Sequence, residues 1–103
     1  MFRKSIVDAI KMELQSLSPQ ITVMLYGSEA RGDARPDSDI DLLILVNKEK
    51  ITEKEKQAIV NRLFTIEYAT GILINPIVML KKQWGAVVTP FYKNIEEEGI
   101  VLC

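Results

Sequence analysis

The sequence predicts an α/β (α+β) protein with a small mixed β-sheet flanked by helices. Three observations lead there. Residues 21–26 alternate Ile21, Val23 and Leu25 with Thr22, Met24 and Tyr26, the period of a strand. Residues 42–46 form an unbroken apolar run directly behind Ser38-Asp39-Ile40-Asp41, and residues 72–80 are apolar apart from Asn75 and Pro76. Around these stretches the apolar residues recur at three and four, the spacing of helices. The order reads helix, strand, short helix, strand, long helix, strand, helix. In 103 residues this suits one domain, spanning 1–103, with a sheet as its middle layer.

The first helix is expected to begin at Ser5, where Ser5-Ile6-Val7-Asp8 has the form of a capping box with the shorter acid. Ile6, Ile10, Leu14 and Leu17 make its apolar stripe, and Pro19 closes it. The first strand ends at Gly27, which permits a sharp turn and close approach of a ligand to the backbone. Ser28 follows at the start of the short helix. Free N–H groups and the positive end of a helix dipole favour an anion there, and the Ser28 hydroxyl adds a donor for a phosphate oxygen.

In the second strand Asp39 and Asp41 share one face, while Ile40 and Leu42 share the other. Residues two apart on a strand are separated by about 6 to 7 Å. Two carboxylates at that separation repel near a core of reduced dielectric, so a positive partner is expected between them. Magnesium suits the place, because it takes carboxylate oxygens together with substrate phosphates. Arg31, Asp33, Arg35 and Asp37 crowd the loop between the strands; Asp33 and Asp37 read as solvated.

Thr52-Glu53-Lys54-Glu55 is a full capping box opening one long helix that runs to Gly71, with Ile59, Val60, Leu63, Phe64 and Ile66 on its apolar face. Glu67 reads as a surface residue. Pro76 has no N–H to donate, so the third strand lacks a ladder partner on one side there. Trp84 either packs over the sheet edge or stacks on a base. Thr89 and Pro90 supply an N-cap and an N1 proline, and Phe91 pairs with Ile95 one turn on. Gly99 stops the last helix, Ile100 folds back in the Schellman manner, and Glu96, Glu97 and Glu98 form a solvated face.

Composition excludes several classes. Thirteen basic and 14 acidic residues leave a net charge of −1, without the basic field that drives nonspecific nucleic-acid binding. The absence of histidine removes the usual general base, a Ser-His-Asp triad and histidine metal ligands. One cysteine, Cys103, excludes an internal disulfide and a cysteine zinc site. Met1-Phe2-Arg3-Lys4 is followed by no long apolar core, so neither a signal peptide nor a membrane span is expected, and the protein is expected in the cytoplasm.

Taken together, Gly27-Ser28-Glu29-Ala30-Arg31-Gly32 and Ser38-Asp39-Ile40-Asp41-Leu42 resemble the signature of the minimal nucleotidyltransferases, a small branch of the DNA polymerase β-like superfamily. Trp84 and the tail from Pro90-Phe91-Tyr92 to Glu98-Gly99-Ile100 are also similar to members of that group. The resemblance implies a polymerase β-like nucleotidyltransferase fold that holds a nucleoside triphosphate, ATP first among them, and magnesium, with two ions possible. Gly27 and Ser28 would bind the triphosphate. Asp39 and Asp41 would be the catalytic, metal-holding pair, and Arg31 either a phosphate contact or a loop-ordering ion pair. The implied reaction moves a nucleoside monophosphate to an acceptor hydroxyl on a protein, nucleic acid or small molecule, releasing pyrophosphate.

At one position the chain departs from the pattern. Active members usually carry a third carboxylate on the third strand, where this chain has Asn75. An amide can ligate through its oxygen, but it brings no charge and cannot act as a base. The resemblance therefore also implies an alternative: a catalytically weak or inactive nucleotide-binding antitoxin that masks a HEPN-type ribonuclease. Both alternatives point to a protein partner, either such a toxin or a further copy of the chain.

Overall fold

The computed structural model describes residues 3–103; Met1 and Phe2, half of the charged opening, lie outside them. The elements are α1 (Lys4–Gln15), β1 (Ile21–Tyr26), α2 (Gly27–Arg31), β2 (Ile40–Val46), α3 (Glu53–Asn61), α4 (Phe64–Thr70), β3 (Ile74–Leu80), a 3-10 turn at Lys81–Gln83, α5 (Pro90–Glu98) and β4 (Ile100–Val101). One four-stranded sheet has the order β3-β2-β1-β4. β1 is antiparallel to β2 and β4, whereas β2 and β3 are parallel. The sheet is thus mixed, and Pro76 lies on an edge strand as its missing N–H requires.

Side-chain alternation divides the sheet into two faces. Ile21, Val23 and Leu25 of β1 and Ile40, Leu42, Ile44 and Val46 of β2 pack with Val7, Ile10 and Leu14 of α1 and with Leu63 and Ile66 to form the main core. On the opposite face Leu43 and Leu45 are buried with Ile95 of α5, and Met24, Met79 and Trp84 pack around them. Cover on both faces explains the unbroken apolar run of β2. That cover ends at the start of β2, where Asp39 is exposed and Asp41 half-buried on the Leu43 face.

The helix ends follow local chemistry, with some departures from the sequence pattern. Thr52 and Glu55 form the expected capping box, Glu55 N–H donating to Thr52 Oγ1 at 3.1 Å and Thr52 N–H to Glu55 Oε1 at 3.3 Å. Thr89 caps α5 through Tyr92 N–H at 3.0 Å, with Pro90 at N1. α1, however, begins at Lys4 with Arg3 in the N-cap position and no side-chain cap. Ser5 and Asp8 do not form a box, because Arg3 is drawn into the interior and sets where the helix starts.

The single long helix expected from residue 53 to Gly71 is two helices. Arg62 N–H bonds to the Ile59 carbonyl and Leu63 N–H to the Val60 carbonyl, a tighter winding that breaks the α-helix. An apolar face as wide as Ile59, Val60, Leu63, Phe64 and Ile66 cannot be buried by one straight helix. The break buries Leu63 and Ile66 and leaves Phe64 exposed. Gly71 still ends α4 in the left-handed conformation. Gly99 is extended, with φ −66° and ψ 147°, so no Schellman turn forms. Ile100 and Val101 instead make β4, pairing with Leu25 and Met24.

Candidate active site

Strand register assembles the site. Asp41 of β2 lies opposite Tyr26 of β1 and beside Asn75 of β3. The Asn75 amide Nδ2 donates to Asp39 Oδ2 at 3.1 Å and to Asp41 Oδ1 at 3.3 Å. One amide therefore spans both carboxylates, at the point where two like charges most need a positive partner. Nδ2 faces the acids because ionised carboxylates offer only acceptors.

Gly27 closes the opposite side. Its φ of +74° is left-handed, and a Cβ on it would stand 2.4 Å from Asp41 Oδ2. Only glycine lets the backbone come this near the carboxylate. Ser28 follows, half-buried, in the first turn of α2. Burial first, and then the charge of Asp41, push the Tyr26 phenol above its ordinary pKa. Tyr26 thus stands beside the carboxylate as a neutral phenol.

Arg31 ends α2. It pairs with Asp33 at 3.3 Å and with Glu98 of α5 at 3.7 Å, all three groups being open to solvent. Glu96, Glu97 and Glu98 are all exposed, the solvated face expected of them, and from it Glu96 accepts the Trp84 indole N–H at 2.8 Å. Trp84 packs on the Leu43 face beside Met79 of the edge strand β3, 4.9 Å from the Tyr92 ring and 6.1 Å from that of Phe91. Its ring is committed to packing. A cavity of about 220 Å³ beside Gly27 is lined by Tyr26, Arg31, Phe91, Asn94 and Glu98. A larger hollow of about 610 Å³ along α5 touches none of Gly27, Ser28, Arg31, Asp39, Asp41 or Asn75.

The donor set fits magnesium. Among the described residues no three histidines, cysteines or acids gather as a closed metal cage. Two carboxylates with room for phosphate oxygens are what this ion uses. Asn75 can add its carbonyl oxygen by turning over.

Residues 7–102 match the nucleotidyltransferase domain model. The chain belongs to the nucleotidyltransferase domain family. It is 38% identical over 99 residues to a Methanocaldococcus jannaschii protein provisionally named a protein adenylyltransferase, covering 96% of this chain and 89% of that one. A second such protein of the same organism is 30% identical over 100 residues, covering 96% and 92%. Similar solved folds include a toxin–antitoxin complex with AMP-PNP, at TM-score 0.65 and 17% identity over 94% of this chain and 72% of that one. Another is a Shewanella oneidensis complex of tri-AMPylated HEPN toxin with MNT antitoxin, at TM-score 0.59 and 14% identity over 97% and 71%. A provisionally named nucleotidyltransferase of Sulfolobus solfataricus aligns at TM-score 0.60 and 20% identity over 94% and 78%. At these identities the likeness to solved structures is one of fold.

Two parts of this nucleotidyltransferase domain are set by contacts between separate elements. Glu29, inside the Gly-Ser motif, is 1% exposed and bonds Arg3, which is 6% exposed. An acid among the small residues Gly27, Ser28 and Ala30 is the available signal. Glu67, expected at the surface, is half-buried and accepts the Ile74 N–H at 3.0 Å, so it fixes where β3 begins, one residue before Asn75.

Proposed function

We propose that this nucleotidyltransferase transfers AMP from ATP to a hydroxyl of a partner protein, releasing pyrophosphate, with magnesium held at Asp39 and Asp41. The observation that carries this reading is the convergence of two carboxylates on one sheet face with the Gly27 backbone pressed against Asp41. When bound there, magnesium supplies neutralisation of the charge that develops on the transferred phosphate and the leaving group. The chain's own residues bind and orient. The Gly27 turn leaves space for the triphosphate along the backbone, and Ser28 Oγ donates to a phosphate oxygen. Arg31, at the rim of the adjoining cavity, exchanges Glu98 for phosphate. Asn75 turns its amide so that Oδ1 faces the cation.

ATP and a protein acceptor are supported by the names of the relatives. A HEPN-type partner, rather than a further copy of the chain, is supported by the complexes among the structural neighbours. Nucleic acid is a poorer acceptor for a protein of net charge −1. Among the described residues no helix is long and apolar enough to cross a membrane, and the demand for ATP suits the cytoplasm. A second reading rests on Asn75: with no carboxylate on β3 to take a proton, the domain binds nucleotide and silences its partner by masking.

Labelled ATP, magnesium and a HEPN-type partner separate the two. Transfer of label to the partner, abolished by Asp41→Asn, is the expected result. Silencing of the partner's ribonuclease with ATP bound but no label transferred selects masking. A wild-type protein that binds no ATP overturns both.

A further inference from the structure

We infer that Arg3 is a positioning residue that holds the Asp39 carboxylate in register with the Gly27-Ser28 turn, an inference that rests on reading Asp39 and Asp41 as the cation-holding pair. Arg3 sits far from that chemistry in sequence but fastens two elements that carry it. Its Nε donates to Glu29 Oε1 at 2.7 Å and its backbone N–H to Glu29 Oε2 at 3.4 Å. Its Nη1 donates to the backbone carbonyl of Ser38. Glu29 belongs to α2, directly after Gly27 and Ser28. Ser38 is the residue before Asp39.

Asn75 Nδ2 meets the Asp39 carboxylate at 3.1 Å, but the backbone that carries Asp39 needs a tether of its own. Asp39 lies one residue before β2, outside the strand. The nearest ladder bond after it is from Ile40 N–H to the Leu73 carbonyl at 2.9 Å. Before it, the loop is closed only locally, Arg35 N–H donating to Ser38 Oγ at 2.9 Å and Ser38 N–H to the Arg35 carbonyl at 3.0 Å. The guanidinium is the link that ties this local turn to α2.

Stability alone does not account for the arrangement. Removing a guanidinium and a carboxylate from water is costly, and well-packed apolar residues often serve as well or better. Arg3 Nη2 moreover has no partner among the described residues, a further cost. What an apolar pair cannot reproduce is a planar fork that bonds two elements at once. Lysine, with its single nitrogen, cannot reproduce it either.

The test uses Arg3→Lys and the double variant Arg3→Met/Glu29→Met in the full chain, beside wild type. Lysine keeps a charge for Glu29 without the fork, and the double variant removes both buried charges, so both are expected to fold. The expected result is melting near that of wild type, with amide hydrogen exchange at Ser38, whose N–H is held by the Arg35 carbonyl, faster by about tenfold or more and exchange in α1 and β1 unchanged. Binding of Mg·ATP, read by calorimetry, should weaken by about tenfold. Folded variants with wild-type exchange at Ser38, or with faster exchange but undiminished binding, overturn the positioning role. Wild type that fails to bind Mg·ATP overturns the cation-site reading instead, and the exchange arm, run without ligand, still decides whether Arg3 orders the loop.

Discussion

Gly27→Ala probes the closest approach in the site. Alanine at φ +74° meets the left-handed penalty, about 1–2 kcal/mol. Its Cβ would also lie 2.4 Å from Asp41 Oδ2 and 3.3 Å from Asp41 Cγ. The obstructing atoms end a side chain, so Asp41 swings aside and gives up its bond to Asn75, about 1 kcal/mol more. The sum, about 2–3 kcal/mol, corresponds to melting roughly 10–20 °C lower for a domain of this length. Gly71→Ala is the matched control: φ is +72° and nothing lies within 4 Å of the added Cβ. It should show the first cost only and leave magnesium-dependent ATP binding intact, whereas Gly27→Ala should weaken that binding severely. Differential scanning calorimetry and isothermal titration of both variants give the answer. Equal melting losses, with ATP binding undiminished in Gly27→Ala, would refute the assignment of Gly27 to the site.

Asn75→Asp places a third carboxylate about 3.1 Å from Asp39 and 3.3 Å from Asp41. At about 1 kcal/mol per pair in water, the metal-free protein should lose about 1–2 kcal/mol and recover it with magnesium, while label transfer rises; thermal melts showing the same loss with and without magnesium would count against the shared site. Tyr26 should titrate above the ordinary phenol value of 10.0. Because its folded pKa is raised, its contribution to stability is complete below pH 10.0 and is lost as pH climbs through the folded value. Asp41→Asn removes the smaller, coulombic cause and should bring the midpoint partway down in a phenolate absorbance titration; an unmoved midpoint would show that Asp41 exerts no field on that ring.

The parts of this fold that could be read from the sequence are those whose cause is local. The alternation of Ile21–Tyr26, the glycine turn and the acids before the run of β2 each report a single element. Parity alone places Asp39 and Asp41 on one face. Asn75 could be identified as the polar residue of β3, although its hydrogen bonds to both acids depend on a parallel register that no local pattern specifies. β4 is two residues long and exists because β1 offers it an edge. Arg3 and Glu29 are 26 positions apart, and opposite charges at such a distance are too common in a sequence to pair by inspection. The break between α3 and α4 is a compromise between helix geometry and core shape, which no capping signal announces.

The outer rim of β3 has a consequence for how this protein meets other chains. Successive N–H groups of a strand point to opposite sides, and since Ile40 N–H bonds the Leu73 carbonyl, residues 74, 76, 78 and 80 direct theirs away from β2. Ile74 gives its N–H to Glu67 at 3.0 Å, Pro76 has none, and Leu80 directs its own to Gln83 Oε1 at 3.4 Å. An incoming strand would find the Val78 N–H where it needs a row of donors. The β3 rim is thus a poor template for strand addition. Two copies can therefore collide repeatedly at this rim without their sheets annealing into one.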